Sequence, residues 1–185
     1  MKFLFIFLLL APIFGVAQTD SISNKFPLKD GKVIYETIIE LPNISKTILY
    51  GISKKWIADT FKNSNAVIQS EDISSGQIVG KGLNTVRVKN LDVKQFDSEC
   101  TFQIDVKENK CRIRFYNIIL VFTALDRTFK QPLEEIAKTA EDTNLKGSKR
   151  GHRDIAEKPN SFNAQYEELM ASYREAMRKG SKDVF

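Results

Sequence analysis

A chain of 185 residues with a formal charge of +5, two cysteines and one histidine has room for one domain with its own core. It lacks the side chains for a zinc site of the usual ligand count. The excess of 28 basic over 23 acidic side chains is too mild to single out a polyanion as partner. The opening residues, MKFLFIFLLLAPIFGVAQTD, place one lysine before an apolar run from Phe3 to Phe14, followed by Gly15 and Ala17. That order predicts a secretory signal peptide over residues 1–17, cleaved after Ala17. The run falls short of the about 20 residues a membrane span needs, and no cysteine stands near the cut to take a lipid. The mature chain, from Gln18, is expected in the periplasm or outside the cell, with no transmembrane span.

In chain order, KVIYETIIEL (residues 32–41) reads as a strand between the breakers Asp30-Gly31 and Pro42-Asn43. Ile48, Leu49, Ile52 and Trp56 then recur at spacings of three and four behind Ser45, predicting a helix that is N-capped there and runs to Phe61. Two alternating stretches, 66–72 and 77–88, read as strands joined at Ser74-Ser75-Gly76. NLDVKQFDSE is expected to be a loop, and a hairpin turning at Glu108-Asn109 continues to about Thr123. A short helix opens at Pro132, and the charged residues 143–160 read as a mobile loop. Phe162, Tyr166, Leu169, Met170, Tyr173 and Met177 form one stripe of a last helix, stopped by Gly180. The expected architecture is α+β, one antiparallel sheet of about five strands with two main helices packed on one face. Its parts are a sheet and first helix over 30–123, an irregular connection over 124–160 and a closing helix over 161–180.

Ser45-Lys46, Leu49-Tyr50, Trp56, Phe61, Asp72, Gly76 and Gly80-Lys81-Gly82, followed by the cysteine hairpin, carry a resemblance. Over about residues 30–120 the chain resembles a bacterial family of exported domains of unknown function with a fold like the TATA-box-binding protein. The resemblance implies a curved antiparallel sheet with helices on one face, and it implies no activity. The TATA-box protein uses a duplicated saddle on DNA. This chain has one copy at most and is expected to leave the cytoplasm, so no nucleic-acid partner is expected.

The search for chemistry yields little. His152 sits in the basic stretch KGSKRGHRD, where it reads as a solvated side chain, and no catalytic residue is assigned. VGKGLN lacks the spacing and the Lys-Ser/Thr ending of a phosphate loop, so its glycines read as a bend or bulge in a strand. Glu71, Asp72, Asp92, Asp97 and Glu99 could meet at one end of the sheet, but they have no calcium-loop spacing. Lys146, Lys149, Arg150 and Arg153 form a basic run that reads as solvated, or alternatively as a tether to anionic lipid or glycan. Neither metal nor cofactor is expected.

The two cysteines fall in SECTFQIDVKENKCRIRFYN. With the turn at Glu108-Asn109, Val106 faces Cys111, and Cys100 lies six residues back, about 20 Å away. That separation excludes an intrachain disulfide, so both read as small buried apolar residues. The other face of the hairpin presents Gln103, Asp105, Arg112, Arg114 and Tyr116, and with Trp56 these are the candidate ligand or partner residues. The leading reading is a non-enzymatic exported module that binds a protein, glycan or envelope component. Alternatives are a carrier of a small apolar ligand, its cavity lined by Trp56, Tyr166, Leu169, Tyr173 and Met177, and a carboxylate-dependent hydrolase.

Overall fold

The computed structural model describes residues 25–61, 67–88, 94–124, 126–141 and 149–182. The leader, residues 1–17, and the positions of Asp92 and Lys146 lie outside the described residues. A two-stranded ribbon, β1 (Leu28–Lys29) and β2 (Lys32–Val33), turns at Asp30-Gly31, both at positive φ, and leads into β3 (Tyr35–Glu40). Helix α1 (Lys46–Thr60) follows, then β4 (Ile68–Asp72), β5 (Gln77–Val88), β6 (Lys94–Lys107), β7 (Lys110–Ala124) and β8 (Arg127–Pro132). Two helices close the chain, α2 (Leu133–Glu141) and α3 (Lys149–Gly180).

The main sheet is antiparallel and six-stranded, in the order β3-β7-β6-β5-β4, with β8 also on β7. β3 pairs with residues 110–115 of β7 and β8 with residues 119–124, so the two share one edge of that long strand. The hairpin register is the one the alternation predicts, Val106 opposite Cys111 and Lys107 opposite Lys110, with Asn109 at φ 65° in the turn. Between the pairs Glu99–Ile119 and Thr101–Tyr116, Cys100 faces two residues, Asn117 and Ile118. This bulge, with Asn117 at φ 49°, shifts the inward parity of β7 from Cys111, Ile113 and Phe115 to Ile118 and Leu120. Without it the second half of the strand would turn its apolar residues to solvent.

One face of the sheet is buried. Cys100, Phe102, Ile104, Val106, Cys111, Ile113 and Phe115 point into it, together with Ile78 and Val86 of β5. Gly80 and Gly82 lie on the same face, where a side chain would collide with aromatic rings. The Phe102 ring packs against Gly80, and a Cβ on Gly82 would sit 2.7 Å from the Phe61 ring. The glycines therefore serve close aromatic approach. The bend or bulge expected at VGKGLN is not in β5, whose register with β6 is unbroken through both glycines; the bulge lies opposite Gly80, in β4.

α1 begins where Ser45, at φ −69° and ψ 151°, caps it, its Oγ accepting from the Ile48 amide at 3.4 Å. The hairpin tip completes the cap, because the Lys46 amide donates to Glu108 Oε2 at 3.0 Å. α3 crosses the buried face with Phe162, Tyr166, Tyr173 and Met177 fully enclosed. Tyr166 stacks on Tyr35 at 4.5 Å and meets Phe115 edge-on at 5.4 Å, while Tyr173 meets Trp56 at 5.0 Å. Each buried hydroxyl has a partner: Tyr35 donates to Asn163 at 2.7 Å, and Tyr166 and Tyr173 lie 2.9 Å from Ser98 and Ser53. Ser53 gives its own proton to the Leu49 carbonyl at 2.8 Å, so Tyr173 is the donor of that pair.

Of the connection expected over 124–160, and of the mobile loop expected over 143–160, residues 125 and 142–148 lie outside the described residues; the described part is regular. It holds β8, α2 and the first turns of α3, which starts at Lys149 and runs through Pro159. A proline inside a helix costs a backbone bond. Here its side chain is buried and Phe162 and Asn163 follow it into the core, so tertiary packing holds the helix across it.

Candidate functional site

The second face of the sheet carries no helix among the described residues, and strand register sets its side chains in rows across it. Gln77, Asp105, Arg112 and Ile38 form one row, and Val79, Gln103, Arg114 and Glu36 the next. Then come Lys81, Thr101 and Tyr116, and after them Leu83, Glu99 and Ile119. Five of the six residues singled out from the sequence thus meet here.

Trp56 does not. It lies on the opposite side of the sheet, 3% exposed, against Phe61 and Tyr173, with its indole N–H donating to Ser172 Oγ at 3.1 Å. The helical spacing that placed it in a stripe with Leu49 and Ile52 signals its core role. The row of Val79, Gln103 and Arg114 also supplies a residue that sequence reasoning missed, Glu36. Its signal was the outward parity of Glu36, Ile38 and Glu40 in β3.

Asp105 anchors the two rows nearest the hairpin. Its Oδ2 accepts from Arg112 Nη2 at 2.8 Å and Nε at 3.2 Å and lies 3.5 Å from Arg114 Nη2. Its Oδ1 accepts from Gln103 at 2.8 Å and Gln77 at 3.2 Å. Glu36 Oε2 stands 3.5 Å from Arg112 Nη1 and 3.9 Å from Arg114 Nε. The last distance is beyond hydrogen bonding, and Arg114 Nε has no other partner among the described residues. These side chains are 21–36% exposed, so solvent screens but does not dissolve the ladder.

Burial acts to raise the Asp105 carboxyl, but the hydrogen bonds from Gln103, Arg112 and Gln77 outweigh it and hold the group below its ordinary value. A carboxylate so fixed cannot give a proton near neutrality. The arrangement offers planar donors, amides and one phenol for contact. A second, more apolar stretch of the face is made by Val79, Leu83, Ile119 and Val121, with Leu83 63% exposed.

The acidic cluster considered from the sequence does not assemble. Glu71 and Asp72 lie beside the β5 start, Asp72 opposite Gln77, while Asp97 pairs with Thr85. That is eight residues along the strand, about 26 Å. Each acid has local work: Lys54, with Tyr50, holds Glu71 below the carboxylate range, and the Ser74 hydroxyl and then Ser75 hold Asp72 there. Lys130 binds Glu99 at 2.7 Å.

The cavity expected around Trp56, Tyr166, Leu169, Tyr173 and Met177 is filled by those side chains, all 8% exposed or less. A groove of about 930 Å³ does lie outside them, between residues 25–36 and α3, with Phe26, Tyr35 and Met170 in its lining. Its polar groups are engaged with one another: Asn163 takes the Tyr35 hydroxyl and donates to the Lys25 carbonyl, and Arg174 reaches Thr37 and Glu167. Of the basic run, Lys149, Arg150 and Arg153 fall in the first turns of α3, where only the backbone is described. Both cysteines are buried and unpaired, and the described residues hold no cluster of metal-ligating side chains and no helix able to cross a membrane.

A sheet with helices on one face and an open second face defines the class of TBP-like α+β domains. The family model described as a domain of unknown function (DUF4468) with TBP-like fold matches residues 35–120. Two solved structures share the fold. One is a TBP-like protein from Parabacteroides distasonis, 19% identical, with a TM-score of 0.67, covering 82% of this chain and 96% of its own. The other is a DUF4468 family protein from Bacteroides ovatus, 20% identical at the same TM-score, covering 82% of this chain and 90% of its own. Comparison with curated proteins found no match.

Proposed function

We propose that this protein is an exported, non-enzymatic binding module that engages a protein, glycan or envelope component through the open sheet face. The observation that carries the reading is the Glu36–Arg112–Asp105–Arg114 ladder beside exposed Leu83, on a face that no described helix covers. The two guanidinium groups, half-buried and already held by Glu36 and Asp105, lose little side-chain freedom on contact. Asp105, tied to Gln103, Arg112 and Gln77, is not placed to act as a general acid in hydrolysis.

A photocrosslinking side chain placed at Thr101 or Tyr116 tests this in the producing cells. Discrete adducts from these two positions are expected, and few from the exposed Glu175 of α3. Adducts from Glu175 alone, or from none of the three, contradict the reading. Export is tested separately by sequencing the amino terminus of the protein recovered from those cells. A mature start at Gln18 is expected, and retention of Met1 would remove the exported part of the proposal.

A further inference from the structure

Over its first four residues β5 is flanked by strands on both sides, but β4 stops pairing at Gly80 while β6 continues to Val88. From Lys81 to Val88, therefore, one edge of β5 pairs with no strand among the described residues. Of the features that close edges off, this stretch has the charged Lys81 and Arg87 and the flanking α3, but it has no proline, and its eight pairs with β6 run without a bulge. Its outward side chains, Lys81, Leu83, Thr85 and Arg87, are all exposed. Beside it runs a groove of about 540 Å³ bounded by Thr85 and Arg87 on the strand and by Asn160, Gln165 and Glu168 on α3. Asn160 Oδ1, in that wall, has no hydrogen-bond partner among the described residues.

We infer that the β5 edge over Lys81–Val88 accepts an extended acidic peptide segment of a partner as an added strand. The inference rests on the binding-module reading and gives it a partner class. Backbone groups along the edge would supply the pairing, and side-chain charge selects the occupant. Lys81 and Arg87, about 20 Å apart along the strand, make no ion pair among the described residues. Residues 81–88 carry no acid. Glu168 is the one acid lining the groove and stands on the helix wall, across from Thr85 and Arg87, where it disfavours acid between the two basic ends. The segment that fits has carboxylates towards its two ends and apolar residues between, over Leu83.

The test is amide hydrogen exchange followed by NMR on the mature protein, with two capped seven-residue probes, one alternating Glu and Val and one alternating Lys and Val. The Glu peptide at millimolar concentration is expected to slow alternate amides of residues 81–88 at least about tenfold, and the Lys peptide to leave them unchanged. In the double variant Lys81→Glu/Arg87→Glu, both sites being exposed, the preference is expected to reverse. No slowing with either peptide, equal slowing with both, or amides on the side away from β6 already protected in the free protein would overturn strand addition. A response confined to Arg112, Arg114 and Tyr116 would also overturn it, and would leave the open-face reading standing.

Discussion

Cys100 and Cys111 show how far a side chain's surroundings decide its chemistry. Burial pushes both thiols up to about 11, which leaves almost no thiolate at neutral pH. The native protein is expected to resist a maleimide while labelling completely at two positions in denaturant; fast native labelling of either cysteine would contradict the register. Asp105 carries the opposite shift. Its native pKa lies below the unfolded value of about 4, so between the two the unfolded state binds more protons and stability rises with pH. Asp105→Asn is therefore expected to cost about 1 kcal/mol at pH 7 by urea unfolding, after allowance for solvent screening. That deficit should shrink as pH falls from about 4 through the native value. A deficit independent of pH would mean the carboxylate's charge is not what holds Arg112 and Arg114.

At the level of elements, aromatic rings lie on bare backbone where β5 passes beneath α1. Gly82→Ala would drive a methyl into Phe61, which is itself stacked on Phe102 at 5.3 Å, and is expected to destabilise by about 1–3 kcal/mol in urea titration. An unchanged midpoint would show that Phe61 is free to move. The elements legible in the sequence were those with an uncontested period. α1, the hairpin and the closing stripe each alternate or repeat cleanly, and Ser45 and Asn109 mark their ends. β8, RTFKQP, was missed because an edge strand with four exposed residues has no apolar side to alternate. The start of β6 was hidden in the polar run KQFDSE, and Pro159 with the charged residues before it disguised the first turns of α3. The bulge at Asn117 left no mark on composition, because it shows only in which residues of FYNIILVF turn inward.

For the whole molecule, the hairpin alternation made half of the candidate surface readable before the fold was known. Gln103, Asp105, Arg112, Arg114 and Tyr116 share a face because strand parity requires it. Glu36, Gln77 and Leu83 join them only through pairings between distant strands, which local pattern cannot supply. The same limit explains Trp56: a large aromatic on an amphipathic helix suits both a core and a binding site, and only the packing of α3 across the sheet decides for the core. With both native cysteines buried, a new cysteine on the open face becomes a sole reporter of its cover. The most direct measurement compares maleimide labelling of Leu83→Cys and Thr101→Cys in intact producing cells and in the purified protein, with Glu175→Cys as reference. Slower labelling in cells at the two sheet positions, with Glu175→Cys unchanged, is the expected result. Equal labelling of all three in both settings would contradict a partner on that face.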